Sequence, residues 1–204
     1  MNKRCITCTT ALLVIFGGGV LAENIDPDND GSQYAWCQTV GWINFEPCYG
    51  GVTVSDSGLS GFAWGENIGW INLSPQYGGV FNDGYGNLSG FAWGENIGWI
   101  NFDPKVPGDA TDYGVVVDAD GDFSGWAWGE NIGWISFQSD MPVPHKVKAC
   151  RVNFKDLANF AEQWLQAGVT FDADLSGDGQ VDFVDYGILA EYWLDYCNQD
   201  WPLK

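Results

Sequence analysis

Near the C-terminus, the run from Asp174 to Asp185 places oxygen-bearing side chains at its first, third, fifth, ninth and twelfth positions and a glycine at its sixth. These residues are Asp174, Ser176, Asp178, Asp182 and Asp185, with Gly179 among them and Gln180 next to it. Calcium is a hard cation that gathers about six to eight oxygens, and the glycine lets the chain turn sharply around it. The spacing predicts a Ca2+ site held by Asp174, Ser176, Asp178, the Gln180 carbonyl and Asp185, with Asp182 acting through water. An ordinary polar turn has no reason to set these ligands in register ahead of a helix.

Such a loop needs rigid elements to hold it, and the flanking sequence supplies two. Val152 to Leu165 aligns without a gap on Val181 to Leu194, and both segments end Ala-Glu-x-Trp-Leu. Phe154, Leu157, Ala161, Trp164 and Leu165 fall on one helix face, and Phe183, Tyr186, Ala190, Trp193 and Leu194 repeat the pattern. Two helices with matching apolar faces can bury them on each other.

Tandem loop-helix units of the EF-hand type, with aspartate at the twelfth loop position, resemble a type I dockerin. The pattern Val-Asp-Phe-x-Asp-x-x-x-Leu-Ala-x-x-Trp-Leu is similar to C-terminal dockerin-like modules of surface and secreted proteins in planctomycete-type bacteria. The match runs over roughly 145–197. It implies calcium binding and docking to a cohesin-like receptor or other envelope protein. In the first unit, His145, Val147 and Ala149 stand where ligands one, three and five would be, and Cys150 stands at the glycine. One calcium site is therefore expected, not two. Phe154-Lys155 and Phe183-Val184 occupy the partner-facing positions and are not the hydroxyl pairs of the best-known dockerins.

The start of the chain reads as a secretory signal: basic Lys3 and Arg4, an apolar Ala11–Phe16, and Val20-Leu21-Ala22 as a cleavage site. The mature chain would begin at Glu23, secreted or held at the cell surface, and no segment suits a transmembrane helix. Cys5 and Cys8 would leave with the leader. Cys37, Cys48, Cys150 and Cys197 remain, an even number that argues for disulfides in an exported chain. Of three possible pairings, Cys37–Cys48 and Cys150–Cys197 are favoured. The first closes a short loop, and the second staples the two ends of the calcium module.

The formal net charge is −19. Between Glu23 and Asp140 the only basic residue is Lys105. Such a field repels phosphate backbones and argues against nucleic-acid binding.

The middle of the chain is repetitive. One phrase occurs at Tyr34–Asn44, Phe62–Asn72, Phe91–Asn101 and Trp126–Ser136, and the last three copies contain Ala-Trp-Gly-Glu-Asn-Ile-Gly-Trp-Ile unchanged. It resembles Trp-Gly-Glu-Asn-Ile-Gly-Trp-Ile repeats of exported bacterial proteins, a likeness that implies no particular activity. Each copy reads as β structure. A Gly65-Glu66-Asn67 loop would pair Trp64 with Ile68 and Phe62 with Trp70 on a broad aromatic face. It would pair Ala63 with Gly69 and Gly61 with Ile71 on a small flat one, with Asn67 left-handed. A three-stranded unit cannot bury its aromatic face alone. Neighbouring units should cover it, which predicts an all-β repeat domain, stacked or solenoid-like by first preference and sandwich- or barrel-like by second. This domain precedes the small α-helical calcium-loop module.

The reading divides the chain into a signal peptide at 1–22, an acidic segment at 23–32, the repeat domain at 33–138, a Pro-rich linker at 139–147, the calcium module at 148–197 and a tail at 198–204. Repeat tryptophans are read as packing residues. Tyr85 and Trp126, which vary between copies, are the candidate platforms for a glycan. Glu66, Glu95 and Glu130 occupy equivalent hairpin turns, unlike the two differentiated carboxylates of a glycosidase, and the single His145 gives no triad. Secondary cation candidates are Asp26, Asp28 and Asp30, which resemble thrombospondin type 3 calcium repeats, and Asp118, Asp120 and Asp122, which also fit a turn. The function expected is a non-enzymatic, calcium-dependent docking module presenting a β-repeat domain. Its rival is a carbohydrate-binding accessory component of an extracellular polysaccharide-degrading complex.

Overall fold

The computed structural model describes residues 24–168, 171–197 and 201–203. The expected leader and its cleavage site lie outside the described residues.

Each repeat phrase folds into a hairpin of two short strands. The pairs are β1 (Tyr34–Cys37) with β2 (Gly41–Asn44), the second half of β4 (Gly58–Gly65) with β5 (Gly69–Asn72), β7 (Leu88–Gly94) with β8 (Gly98–Asn101), and β11 (Trp126–Gly129) with β12 (Gly133–Ser136). Neighbouring hairpins pair in turn, β2 with β4, β5 with β7, β8 with β11, and β12 with β1. The circuit is a closed eight-stranded antiparallel barrel, which leaves its hairpins no free edge. Closure by a single ring of hairpins thus replaces the stacked array preferred on sequence grounds.

The faces are also assigned the other way round. The barrel interior takes Ala35, Ala63, Ala92 and Ala127 from one set of strands and Ile43, Ile71, Ile100 and Ile135 from the other, all buried. An interior of eight strands is just wide enough for side chains to fill, and alanine opposite isoleucine fills it. The aromatic face points outward. Trp64 pairs with Trp70, Trp93 with Trp99 and Trp128 with Trp134 across their hairpins. Their rings meet edge to face, with centroids 4.8–4.9 Å apart, the geometry that aromatic quadrupoles prefer. These tryptophans are half-exposed, so the reading of the repeat tryptophans as core is corrected.

The turns explain the register. Gly65 pairs with Gly69, and Ile68 N donates to Gly65 O at 3.1 Å. The residue with positive φ is Gly69, at 80°, where Asn67 had been expected. Ile68 folds back over Gly65, and a Cβ there would lie 2.5 Å from Ile68 Cγ1. The side chain of Asn67 is used between repeats instead. Its Nδ2 donates to Val40 O at 3.0 Å, and Asn96 and Asn131 donate likewise to Ile68 O and Ile97 O.

Below the hairpins the strands bend at Gly61, Gly90 and Gly125, each at φ of 83–87° with a neighbouring carbonyl where a Cβ would be. They continue into a second tier with β3 (Gly51–Ser55), β6 (Gly79–Asn82), β9 (Val116–Val117) and β10 (Phe123–Ser124). Phe123 N bonds Val147 O, Ile25 bridges Ala149, and the Asn24 side chain exchanges two 2.8 Å hydrogen bonds with the Val54 backbone. The side-chain amide of Asn24 thus imitates a strand peptide. Phe45, Phe102, Phe123 and Phe137 meet in the middle of one continuous core. The segment 139–147 contributes β14 (His145–Lys146), which pairs with β13 (Gln138–Ser139).

The C-terminal part has its own small core, built round α1 (Phe154–Glu162) and α2 (Phe183–Glu191). Each helix begins with a capping box, Asn153 with Asp156 and Asp182 with Asp185.

Candidate functional site

The two halves of the C-terminal module are related by a pseudo-twofold pairing. Leu165 N donates to Val181 O at 2.9 Å, and Leu194 N donates to Val152 O at 3.0 Å. Phe154 meets Trp193 edge-on at 5.1 Å, and Phe183 meets Trp164 at 5.0 Å. Leu165 and Leu194 both take positive φ. The internal duplication read from sequence is therefore realised as two mutually paired halves.

In the second half the acidic loop is wrapped on its own carboxylates. Asp174 accepts from the N–H groups of Gly177, Asp178 and Gly179 at 2.8–3.1 Å, and Ser176 Oγ lies 3.4 Å from Asp174 Oδ1. Asp185 is fully buried and accepts from Ser176 N at 2.8 Å and Asp182 N at 2.9 Å. Burial raises the pKa of its carboxyl, but the backbone bonds from Asp182 and Ser176 outweigh this and leave it below the usual value. Asp178 accepts from Gln180 N and Asp182 from Val184 N. Loop positions one, three and twelve thus converge, while Asp178 is turned to its own bend. Among the described residues, no three His, Cys, Asp or Glu side chains gather closely enough to hold a metal ion.

The first half is built differently. Val147 and Ala149, which stand at ligand positions, are buried in the core of the β domain, each in an isolated bridge, Val147 with Gln33 and Ala149 with Ile25. Cys150 and Cys197 form a disulfide, and Cys197 N donates to Cys150 O at 3.2 Å. The matching pair in the second half is Gly179 with Gly168, whose N–H donates to Gly179 O at 3.0 Å. Asp156, at the twelfth position, gives one oxygen to Asn153 N at 2.8 Å and the other to Trp201 Nε1 at 2.6 Å. Trp201 lies in the tail and gave no signal as a partner in the sequence.

The expected Cys37–Cys48 bridge is absent. Cys37 is buried and Cys48 is exposed, and both are free thiols.

The secondary acidic clusters are engaged by protein groups. Asp26 accepts from the backbone of Asp30, Gly31 and Ser32. Asp28 binds Lys155 at 2.9 Å and Lys148 at 3.0 Å. Asp118 accepts from Asp120 N and Asp122 N, and Asp122 pairs with Lys146 at 2.9 Å. Glu66, Glu95 and Glu130 are exposed at separate hairpin tips. His145 Nδ1 is 2.9 Å from Val143 O, and its ring lies edge-on to Trp42.

The outer surface of the barrel carries a groove of about 700 Å³ at the seam between the fourth and first repeats, walled by Trp36, Tyr113, Trp126 and Trp134. Trp126 thus lines a concavity, whereas Tyr85 stands apart in the exposed β6–β7 turn.

No family model matches this chain, and neither a curated protein nor a solved structure matches it.

Proposed function

We propose that this is an exported, non-catalytic protein whose C-terminal module takes one calcium ion and, so ordered, docks the barrel to a protein partner at the cell envelope. The observation that carries this reading is the asymmetry of the paired module. One half is fastened by a disulfide and a tryptophan, and the other by a loop of carboxylates without a fastening of its own.

The donor chemistry of that loop suits calcium. Asp174, Ser176, Asp178, Asp182, Asp185 and the Gln180 carbonyl would hold the ion, all of them hard oxygens. Bound there, calcium neutralises mutually repelling carboxylates and couples loop order to the adjacent helix. The protein's own groups keep the loop wound: Asp174 holds the N–H groups of the bend and Asp185 ties its third residue to α2.

The docking surface would come from apolar side chains that the helix pair leaves uncovered. Phe154 and Phe183 are 75% and 77% exposed, each against a tryptophan of the other half, and Leu165 and Val184 are exposed too. Apolar exposure of this kind is the material of interaction sites.

Calorimetry of the full chain with Ca2+ and with Mg2+, before and after Asp178→Ala, tests the reading. A calcium-selective heat that the substitution abolishes supports it. Equal weak heats for both proteins and both ions refute it.

A further inference from the structure

The repeats provide an internal control, because three copies show what the hairpin needs in order to pack. Departures from the shared residues that gather in one place therefore call for a reason other than packing. At the seam between the fourth and first repeats, they gather around the 700 Å³ groove. Trp126 stands where the second and third repeats have Phe62 and Phe91. Tyr113 stands where they have Gly50 and Gly78, the glycines over which Trp70 and Trp99 lie closely. Ser136 replaces the asparagine of Asn72 and Asn101, and Gln38 replaces the glutamate of Glu66, Glu95 and Glu130. All four of these residues line the groove, with Trp36 and Trp134.

The substitutions share a chemical direction. Two enlarge the aromatic wall. Tyr113 lies against Trp134 at 5.2 Å and Trp126 meets the same ring edge-on at 6.4 Å, so the walls are inclined planes, with Trp126 40% exposed and Tyr113 and Trp134 half-buried. The other two replace a carboxylate and an amide with an uncharged amide and a hydroxyl. Flat aromatic faces accept the C–H faces of pyranose rings, and amides and hydroxyls pair with sugar hydroxyls. Concave sites of this size, mostly apolar with a few polar groups, are the usual form of small-ligand sites. Replacing a carboxylate by an amide weakens the attraction for cations at this place, while the chain's net charge of −19 still repels anionic polymers.

We propose that the groove walled by Trp36, Tyr113, Trp126 and Trp134 is a binding site for a neutral saccharide, with the Gln38 amide as its hydrogen-bonding group; Ser136 is buried beneath the wall, where its hydroxyl donates to Gln138 O at 3.1 Å. The site does not depend on the calcium reading, because it lies wholly on the barrel and its adjoining segment.

The test is titration of the full chain with cellohexaose, xylohexaose and mannohexaose, followed by tryptophan fluorescence and calorimetry. Hexagalacturonate serves as the anionic counterpart, and a proline-rich decapeptide as the peptide one. The decisive variant is Trp126→Phe/Gln38→Glu, which installs residues that other repeats already carry in the same backbone, so its fold is expected to survive and is checked by melting. Saturable binding of at least one neutral hexasaccharide is expected, weakened about tenfold or more in the double variant and unchanged by Phe91→Leu on the third repeat. The proposal is overturned by no saturation with any neutral sugar, by equal or tighter binding of hexagalacturonate or the peptide, or by an unchanged affinity in the double variant.

Discussion

Cys37 Sγ donates to the carbonyl oxygen of Ile132 at 3.3 Å, across the seam where the last repeat meets the first. The corresponding carbonyls of Val40, Ile68 and Ile97 are each met by an asparagine of the following repeat. The first repeat has Thr39 at the asparagine position, and the thiol, built on the strand where other repeats have glycine, takes over the contact. Val40 is one methylene smaller than its counterparts Ile68, Ile97 and Ile132, which leaves room for the extra Cβ and sulfur.

Substituting Cys37 by Gly should therefore cost about 1–2 kcal/mol, from the lost contact and a small cavity beside Val40. The triple variant Cys37→Gly/Thr39→Asn/Val40→Ile rebuilds the arrangement of the other seams and should recover most of that loss. Thermal unfolding checks both. If the triple variant melts no higher than Cys37→Gly, the seam is not closed in the way described.

The disulfide and the glycine pair predict a division of labour within the C-terminal module. Cys150–Cys197 occupies the place that Gly179 and Gly168 occupy in the acidic half. Cys150→Ser/Cys197→Ser should lower the stability of the module by about 2–4 kcal/mol, as expected for removing a cross-link over a long loop. On the proposed calcium reading, the heat of binding should persist in this variant below its melting point, because the contacts of the loop at 174–185 run to Asp174 and Asp185 and not to the disulfide. Denaturant unfolding and calorimetry on the same sample separate the two effects.

Several features of the fold were legible in the sequence, and the reasons others were not are physical. The alternation Phe62, Trp64 against Ala63, Ile71 correctly separates the two hairpin faces, and the Val152–Leu165 duplicate announces two equivalent halves. The helix faces read as buried are not: Phe154, Ala161 and Leu165, like Phe183, Ala190 and Leu194, are exposed, and the helices bury Phe160 and Leu189 instead. Which face is inside depended on the radius of a closed barrel, which no single repeat specifies. Area-based reasoning sends tryptophan inward, but an eight-stranded interior admits alanine and isoleucine and excludes indoles. The register was missed because Asn67 was given a role inside its own turn, whereas its side chain serves the neighbouring repeat. Of the site, the oxygen spacing of the acidic loop was visible, and so was the variation at Trp126. Tyr113, Gln38 and Ser136 were readable from the same repeat comparison. Their convergence was not, because it needs the ring to close. Trp201 had no sequence signal at all: its partner Asp156 is 45 residues away.

Acid should loosen the contact between barrel and C-terminal module. The Lys155 hydrogen bond, opposed by partial burial and helped by Lys148, holds the Asp28 carboxyl below its ordinary value. A depressed carboxylate pKa contributes stability that is fully present above the unfolded value of 3.8 and is lost as pH falls through the lower folded value. The buried Asp26 carboxyl is shifted upward, chiefly by desolvation, and acts in the opposite sense. Asp28→Asn should therefore lower the melting temperature at neutral pH by about 2–4 °C, corresponding to a contribution of about 1 kcal/mol. The gap between variant and parent should narrow as pH falls below about 4. Melting curves from pH 7 to 2.5 decide the matter, and a gap that stays constant or widens in acid contradicts the assignment.

The Asp156–Trp201 bond makes the last prediction. Asp156 is 4% exposed and Trp201 is 7% exposed, so neither partner can turn to water when the other is removed. Asp185, its counterpart, receives a backbone N–H from Ser176 in the same place; the first half lacks that loop and receives the indole instead. Trp201→Phe keeps most of the ring volume and deletes the N–H, leaving a buried carboxylate oxygen without its donor. A loss of about 1–3 kcal/mol follows from the desolvation cost of that oxygen. Adding Asp156→Asn to Trp201→Phe removes the buried charge while keeping an oxygen for Asn153 N, and should restore part of the loss. Urea unfolding of the parent, the single variants and the double variant gives the coupling between the two residues. A coupling near zero would mean that the tail rests on the module without fastening it.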